Sequence, residues 1–296
     1  MGELNDILHG LESSLGPLGG EPVPLEGGIT NRNYRVTLGG CDYVVRRPGK
    51  DTAMLGIDRE AERLASEAAA GLGIAPGVSS AREDCLVTRY VPCSTMCAAE
   101  VAGAIEEIAP ALRTFHDSAL VLPTSFSVPA LLAAYAQIVA ARGATPLAGY
   151  ALAVEAAGRI AAVLAGGARR PCHNDLLAGN IIRAPSGVMI VDWEYAGMGD
   201  PRFDLGNLSV NNSFAEEDDE RLLRAYLGTT PPDSERAALK LMRVLSDARE
   251  GAWGAVQSVL SEIEFDFDGY AREHFERLAA TIEHADFEEW LAAAGR

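Results

Sequence analysis

The sequence predicts a bilobal α+β protein, with a small lobe built on an antiparallel sheet over residues 1–91 and a mainly helical lobe over 92–296. Three observations lead there. Alternating β-prone runs separated by glycine turns crowd the first part of the chain, whereas alanine- and leucine-rich stretches with helical periodicity dominate the rest. At 296 residues the chain suits about two domains or one large two-lobed unit, with ample core.

Taken in order, the chain opens with a short helix. Residues 34–38 then alternate apolar and polar, Gly39-Gly40 signals a hairpin, and residues 42–46 form a second β-prone run. Residues 58–70 are charged and alanine-rich at helical spacing, and Gly71-Leu72-Gly73 closes that helix. Residues 85–91 read as another strand, ended by Pro92. Residues 95–118, 128–142 and 147–165 read as helices, and a second hairpin, 180–183 with 188–191, turns at Pro185-Ser186-Gly187. From about 216 onward the chain is helical again, with a break at Pro231-Pro232 and an acidic loop over 262–268.

Charge narrows the function classes. With 25 basic and 42 acidic residues the net charge is −17, which repels phosphate backbones and anionic lipid, so neither nucleic acid nor membrane is an expected partner. Cationic ligands, or a site using a divalent metal, fit better. The longest charge-free apolar stretch, 128–141, is too short to span a bilayer, and Met1-Gly2-Glu3-Leu4-Asn5-Asp6 carries neither a leader pattern nor a myristoylation signal. A cytoplasmic protein is the expectation. Five cysteines without paired spacing indicate neither a disulfide framework nor a zinc site, and Cys93 and Cys97 are expected to be buried as small apolar residues.

The chemistry concentrates in His173-Asn174-Asp175-Leu176-Leu177-Ala178-Gly179-Asn180, followed after the second hairpin by Asp192-Trp193-Glu194. Phosphoryl transfer from ATP needs one carboxylate to orient the acceptor hydroxyl, and an amide oxygen with a second carboxylate to hold the metal that bridges the phosphates. Asn180 at the start of one strand and Asp192 at the end of its neighbour converge on one metal, while Asp175 is left for the hydroxyl. The ion expected is Mg²⁺, with ATP as co-substrate.

This segment, with Asp200-Pro201-Arg202-Phe203-Asp204-Leu205-Gly206-Asn207 after it, resembles the choline/ethanolamine kinase branch of the aminoglycoside phosphotransferase-like kinases. The stretch Glu26-Gly27-Gly28-Ile29-Thr30-Asn31 is similar to the family's nucleotide loop, so Gly28, Thr30 and Asn31 are expected on the triphosphate. The resemblance implies a protein-kinase-like fold whose N-lobe binds nucleotide and whose C-lobe carries catalysis and the acceptor. It places Arg46 where kinases keep the phosphate-binding cation, and favours Glu62 over Glu60 as its acidic partner. A hinge near Tyr90 and Val91 would offer backbone hydrogen bonds to adenine. His173 takes a packing and tethering role, and Asp204 that of the aspartate accepting amide hydrogens from the catalytic loop, although a helix N-cap there is also compatible. Cys172 is read as core.

A small cationic alcohol as acceptor would be held by aromatic faces and carboxylates. Tyr195 and Trp253 look like aromatic sites of choline-kinase-like proteins, with Tyr270 and Trp290 further off. The implied reaction moves the γ-phosphoryl group of ATP to the hydroxyl of choline or ethanolamine. Thiamine, an aminoglycoside, a sugar or a homoserine-like alcohol remains an alternative acceptor, as does a catalytically silent nucleotide-binding module. The sequence does not speak to oligomeric state.

Overall fold

The computed structural model describes residues 2–25, 31–49, 52–284 and 286–295. Helix α1 (Gly2–Leu15) precedes strands β1 (Val23–Leu25), β2 (Arg32–Leu38) and β3 (Cys41–Arg47); α2 (Arg59–Gly71), β4 (Val78–Ala81) and β5 (Leu86–Arg89) follow. The strands make one antiparallel sheet in the order β1-β2-β3-β5-β4. Gly39 and Gly40 adopt φ of 56° and 78°, the left-handed values that a two-residue hairpin requires. Leu4, Ile7, Leu8 and Leu11, spaced to share one face of α1, cover the buried side of the sheet at Val36, Leu38, Tyr43, Val45 and Val87. Asp58 caps α2 by accepting from the Ala61 amide at 2.8 Å.

The remainder is mostly helical: β6 (Ser94–Thr95), α3 (Ala98–Gly103), α4 (Ile105–His116), α5 (Val128–Ala141), α6 (Tyr150–Val163), β7 (Arg170–Cys172), β8 (Ile181–Ala184), β9 (Gly187–Ile190), β10 (Gly197–Gly199), α7 (Pro201–Asn211), α8 (Glu216–Leu227), α9 (Asp233–Leu260), α10 (Phe267–Glu283) and α11 (Asp286–Ala294). An antiparallel sheet followed by a helical body is the α+β class that the sequence predicts. The 28-residue α9 is the axis of this body, buried over most of its length and packed by α5, α6, α7, α10 and α11. Two close approaches seat its neighbours. A Cβ at Gly206 would lie 2.5 Å from the Met242 side chain, and one at Gly251 would lie 2.5 Å from Phe275, so α7 and α10 press against α9 where only glycine fits.

Four expectations need correction. The helix anticipated over 95–118 is two helices, broken at Ala104, whose φ of −112° leaves the helical range. The acidic stretch 262–268 is not all loop, because Asp266 caps α10 through the Gly269 amide at 2.8 Å. Cys93 and Cys97 are exposed: β5 ends at Arg89, short of the expected stop at Pro92, and the chain runs over the surface until Cys97 caps α3. Strands β4, β6, β7 and β10 escaped the sequence reading, being two to four residues long and lacking alternation. Among the described residues no helix is long and apolar enough to cross a membrane.

Candidate active site

Strand β7 delivers the chain into the segment His173 to Asn180, which is pinned from below. The Asp204 carboxylate, fully buried in the first turn of α7, accepts from the His173 amide at 2.8 Å and the Asn174 amide at 2.7 Å. The N-cap of α7 is Asp200 instead, which accepts from the Arg202 amide. His116 donates toward Asp204 at 2.9 Å and meets the Tyr226 hydroxyl through its other ring nitrogen at 2.8 Å. Burial works against the Asp204 charge, but these donors outweigh it and hold its pKa below the usual range. His116, Cys172 and Asp204 bring potential ligand atoms within 4.8 Å, but both carboxylate oxygens are committed to this loop. His173 is buried, with Nε2 on the Val191 carbonyl at 2.9 Å and Nδ1 facing the Asp175 amide at 3.2 Å; burial lowers its pKa, so it tethers as a neutral ring.

So braced, the loop presents Asp175, which is 7% exposed. Its Oδ1 accepts from Arg249 Nη1 at 2.9 Å and its Oδ2 from Asn180 Nδ2 at 3.1 Å. Burial pushes its pKa up to about 7, with Arg249 opposing the rise and Glu250 adding to it. Because Asn180 spends Nδ2 on Asp175, its Oδ1 is the acceptor left over. Pairing of Ile181 with Ile190, and a 2.9 Å bond from the Val191 amide to the Asn180 carbonyl, bring Asn180 beside Asp192. Asp192 itself takes φ of 67°, turning off the β9 direction. Amide and carboxylate oxygens are the hard donors that Mg²⁺ prefers, so the residues present fit that ion.

Across the cleft Arg46, 9% exposed on β3, ion-pairs with Asp192 and donates to Glu62 Oε1 at 3.2 Å. Glu60 lies outside, paired with Arg63. Two residues unmarked by the sequence complete the cluster: Arg59 donates to Glu62 at 2.6 Å, and Glu194 accepts from Asn31 Nδ2 at 2.9 Å with Arg59 3.6 Å away. Burial and neighbouring Asp192 raise the Glu194 pKa to about 8 against the pull of Arg46. Gly28 and Thr30 lie outside the described residues. A cavity of about 320 Å³ opens here, with Val44, Ala75, Leu86, Val91, Ile182 and Ile190 as apolar walls and Arg46, Asn180 and Asp192 at its polar end. At the expected hinge, Tyr90 and Val91 line this cavity. The Tyr90 amide is spent on the Asp42 carbonyl at 3.0 Å and its ring lies under Arg35, so only its carbonyl faces no such commitment.

Behind Asp175 the structure brings Tyr195 and Trp253 together, Trp253 Nε1 donating to the Tyr195 hydroxyl at 2.8 Å. Sequence reasoning missed what fills the space between them and the loop. Arg249 and Glu250, adjacent on α9, pair at 2.7 Å, and Glu250 also accepts from the Tyr270 hydroxyl at 2.9 Å. Opposite charges in an otherwise alanine- and leucine-rich helix, with Trp253 one turn on, were the available signal.

The phosphotransferase enzyme family model matches residues 21–242. The chain belongs to that family and, within it, to the choline/ethanolamine kinase family, phosphotransferases with an alcohol as acceptor. The crystal structure of a choline/ethanolamine kinase family protein from Mesorhizobium loti is 31% identical, with a TM-score of 0.82 over 99% of both chains. A LicA crystal structure in complex with AMP is 25% identical, with a TM-score of 0.77 over 97% of this chain and 98% of that one. Protein LicA of Haemophilus influenzae is 27% identical over 221 residues, which is 71% of this chain and 63% of that protein's length.

Proposed function

We propose that the protein transfers the γ-phosphoryl group of ATP to the hydroxyl of a small amino-alcohol, choline or ethanolamine, in the cytoplasm. The lobes 1–91 and 92–296 would supply the nucleotide and acceptor sides. Support comes above all from the Asp175 carboxylate, held by Asn180 and Arg249 next to the cleft that Asp192 and Arg46 line. The nucleotide would place its base among the apolar walls near Val91, against the Tyr90 carbonyl, and its phosphates toward Asn31 and Arg46. Glu62 steadies Arg46. Asn180 and Asp192 would hold Mg²⁺, which neutralises phosphate charge when bound.

Asp175 then orients the acceptor hydroxyl and takes its proton as the oxygen reaches phosphorus. With its pKa pushed to about 7 the carboxylate is a better proton acceptor than an exposed aspartate, while enough of it is ionised at neutral pH. Most of the acceleration comes from positioning, which the Asp204 carboxylate and the His173 ring serve by holding the amides of His173, Asn174 and Asp175. Release of ADP should require both magnesium and an alcohol from a panel of choline, ethanolamine, thiamine and aminoglycosides. ATP binding without turnover of any of them would instead identify a silent nucleotide-binding module.

A further inference from the structure

The acceptor side already contains a cation. Arg249 is 1% exposed, its guanidinium carbon lies 4.3 Å above the Tyr195 ring, and its Nη1 bridges the Asp175 and Glu250 carboxylates. Its buried Nε and Nη2 have no hydrogen-bond partner among the described residues. An aromatic face with two carboxylates behind it is the environment that recognises a quaternary ammonium, which has no N–H to donate and depends on ring faces and diffuse negative charge. Here that environment is satisfied from within. Arg249 covers the Tyr195 face, Glu250 is further bonded to Tyr270 and to Asn207, and the Trp253 ring meets Phe267 and Tyr270 at centroid distances of 5.8 and 5.7 Å.

We propose that Arg249 determines acceptor specificity, occupying the place of a trimethylammonium group so that the site selects alcohols with a primary amine. This deepens the amino-alcohol kinase reading and rests on it. Seating a trimethylated cation on Tyr195 would expel Arg249, exchanging a guanidinium that donates to Asp175 and Glu250 for a cation with no N–H, so both buried carboxylates would lose a charge-assisted hydrogen bond. A primary ammonium avoids that exchange, because it pays out its charge through three directed N–H donors to carboxylate oxygens. Among the described residues Asp175 accepts one hydrogen bond on each oxygen, whereas a carboxylate offers about four lone-pair sites. The free Nε and Nη2, on the same planar fork as the nitrogen that holds Asp175, suit the oxygen of the acceptor hydroxyl.

Turnover and binding test this separately. Wild-type enzyme should show kcat/KM for ethanolamine about tenfold or more above that for choline, and Arg249→Met should narrow the ratio by about tenfold, the span of one cation–π contact. Because Arg249→Met strands Glu250, the Arg249→Met/Glu250→Gln double variant, checked for folding by circular dichroism, removes the pair together. Tetramethylammonium titrated against tryptophan fluorescence should bind this double variant about tenfold more tightly than wild type. Choline used as well as ethanolamine by the wild type, or a folded double variant binding tetramethylammonium no better, overturns the inference. Turnover of neither amino-alcohol would sink the kinase reading alone, and the titration would still decide the role of Arg249.

Discussion

The two sides of the cleft are both held by ion pairs, yet they are built for different ends. On the nucleotide side the pairs cross from the N-terminal sheet and α2 to the segment after β9, and several members reach water: the Asp192 and Arg59 side chains are 25% and 26% exposed. On the acceptor side Arg249 and Glu250 are 2% and 1% exposed, and their hydrogen-bond partners lie on α7, α9, α10 and the catalytic loop of one helical body. In the proposed reading an incoming polyphosphate and its metal would compete for Arg46 and Asp192, so that side would have to exchange partners. The acceptor side has no such exchange to make. It is assembled in advance, which suits a reaction whose rate depends on placing one hydroxyl.

The largest expected effect tests that division at its seam. Asp175→Asn keeps an oxygen for Arg249 but loses the proton acceptor, and kcat should fall by about 10² to 10⁴. Nucleotide affinity, followed by titration calorimetry, should hardly change. If affinity collapses together with kcat, the two sides are one unit and the contrast drawn above is wrong.

Next in size is Arg46→Met, which removes the cation shared by Asp192, Glu62 and Glu194. Taking one partner from a buried pair costs about 3–5 kcal/mol, and Arg59 should keep the loss near the lower figure by retaining Glu62 and Glu194. Urea unfolding measures it. A loss below about 1 kcal/mol would mean that water screens these pairs as it does surface ones.

Acidity separates the sides more finely. Asp175 near 7 and Glu194 near 8 keep protons in the folded chain that they release near 3.9 and 4.3 when unfolded. Between those limits the native state binds more protons than the unfolded one, so stability must fall as pH rises from about 4 to about 8 and level off above. In metal-free protein, Glu194→Gln should flatten the melting-temperature profile between about pH 7 and 8, where Glu194 titrates alone, and either Glu194→Gln or Asp175→Asn should lessen the slope below about 7. General repulsion among the excess carboxylates bends every profile the same way, so the differences from wild type carry the test. Identical profiles for all three proteins would refute both shifts.

How much of this could be read beforehand depends on how far each contact reaches along the chain. Asp175, Asn180 and Asp192 sit in one hairpin-spanning motif, so their spacing encodes their meeting. Arg46 and Glu62 stand on a strand and the helix after it, and it took the family resemblance to pair them, because spacing alone reads that helix as a charged surface. Arg249 meets Asp175 across 74 residues and Glu194 meets Asn31 across 163, separations at which no local period says which faces will touch. That the Tyr90 amide is committed elsewhere was illegible for a related reason. Its partner is the Asp42 carbonyl on a neighbouring strand, and such a bond is visible only once the sheet order is known. The aromatic residues Tyr195 and Trp253 were legible as a pair, but the charge that occupies them was not.

Helix α2 offers the smallest and cleanest test, because it carries both kinds of ion pair on one element. Glu62 faces the cleft with its side chain 4% exposed, while Arg63 bridges Glu60 and Glu67 on the outer face, where those acids are 56% and 44% exposed. The outer pairs are geometrically good, at 2.6 Å each, yet salt and side-chain entropy leave such exposed contacts worth little. Arg63→Ala should therefore shift the urea midpoint barely, and less still in 0.5 M salt, with acceptor and nucleotide kinetics unchanged. A loss approaching that of Arg46→Met would show that short distance, and not burial across the cleft, decides what an ion pair contributes to this protein.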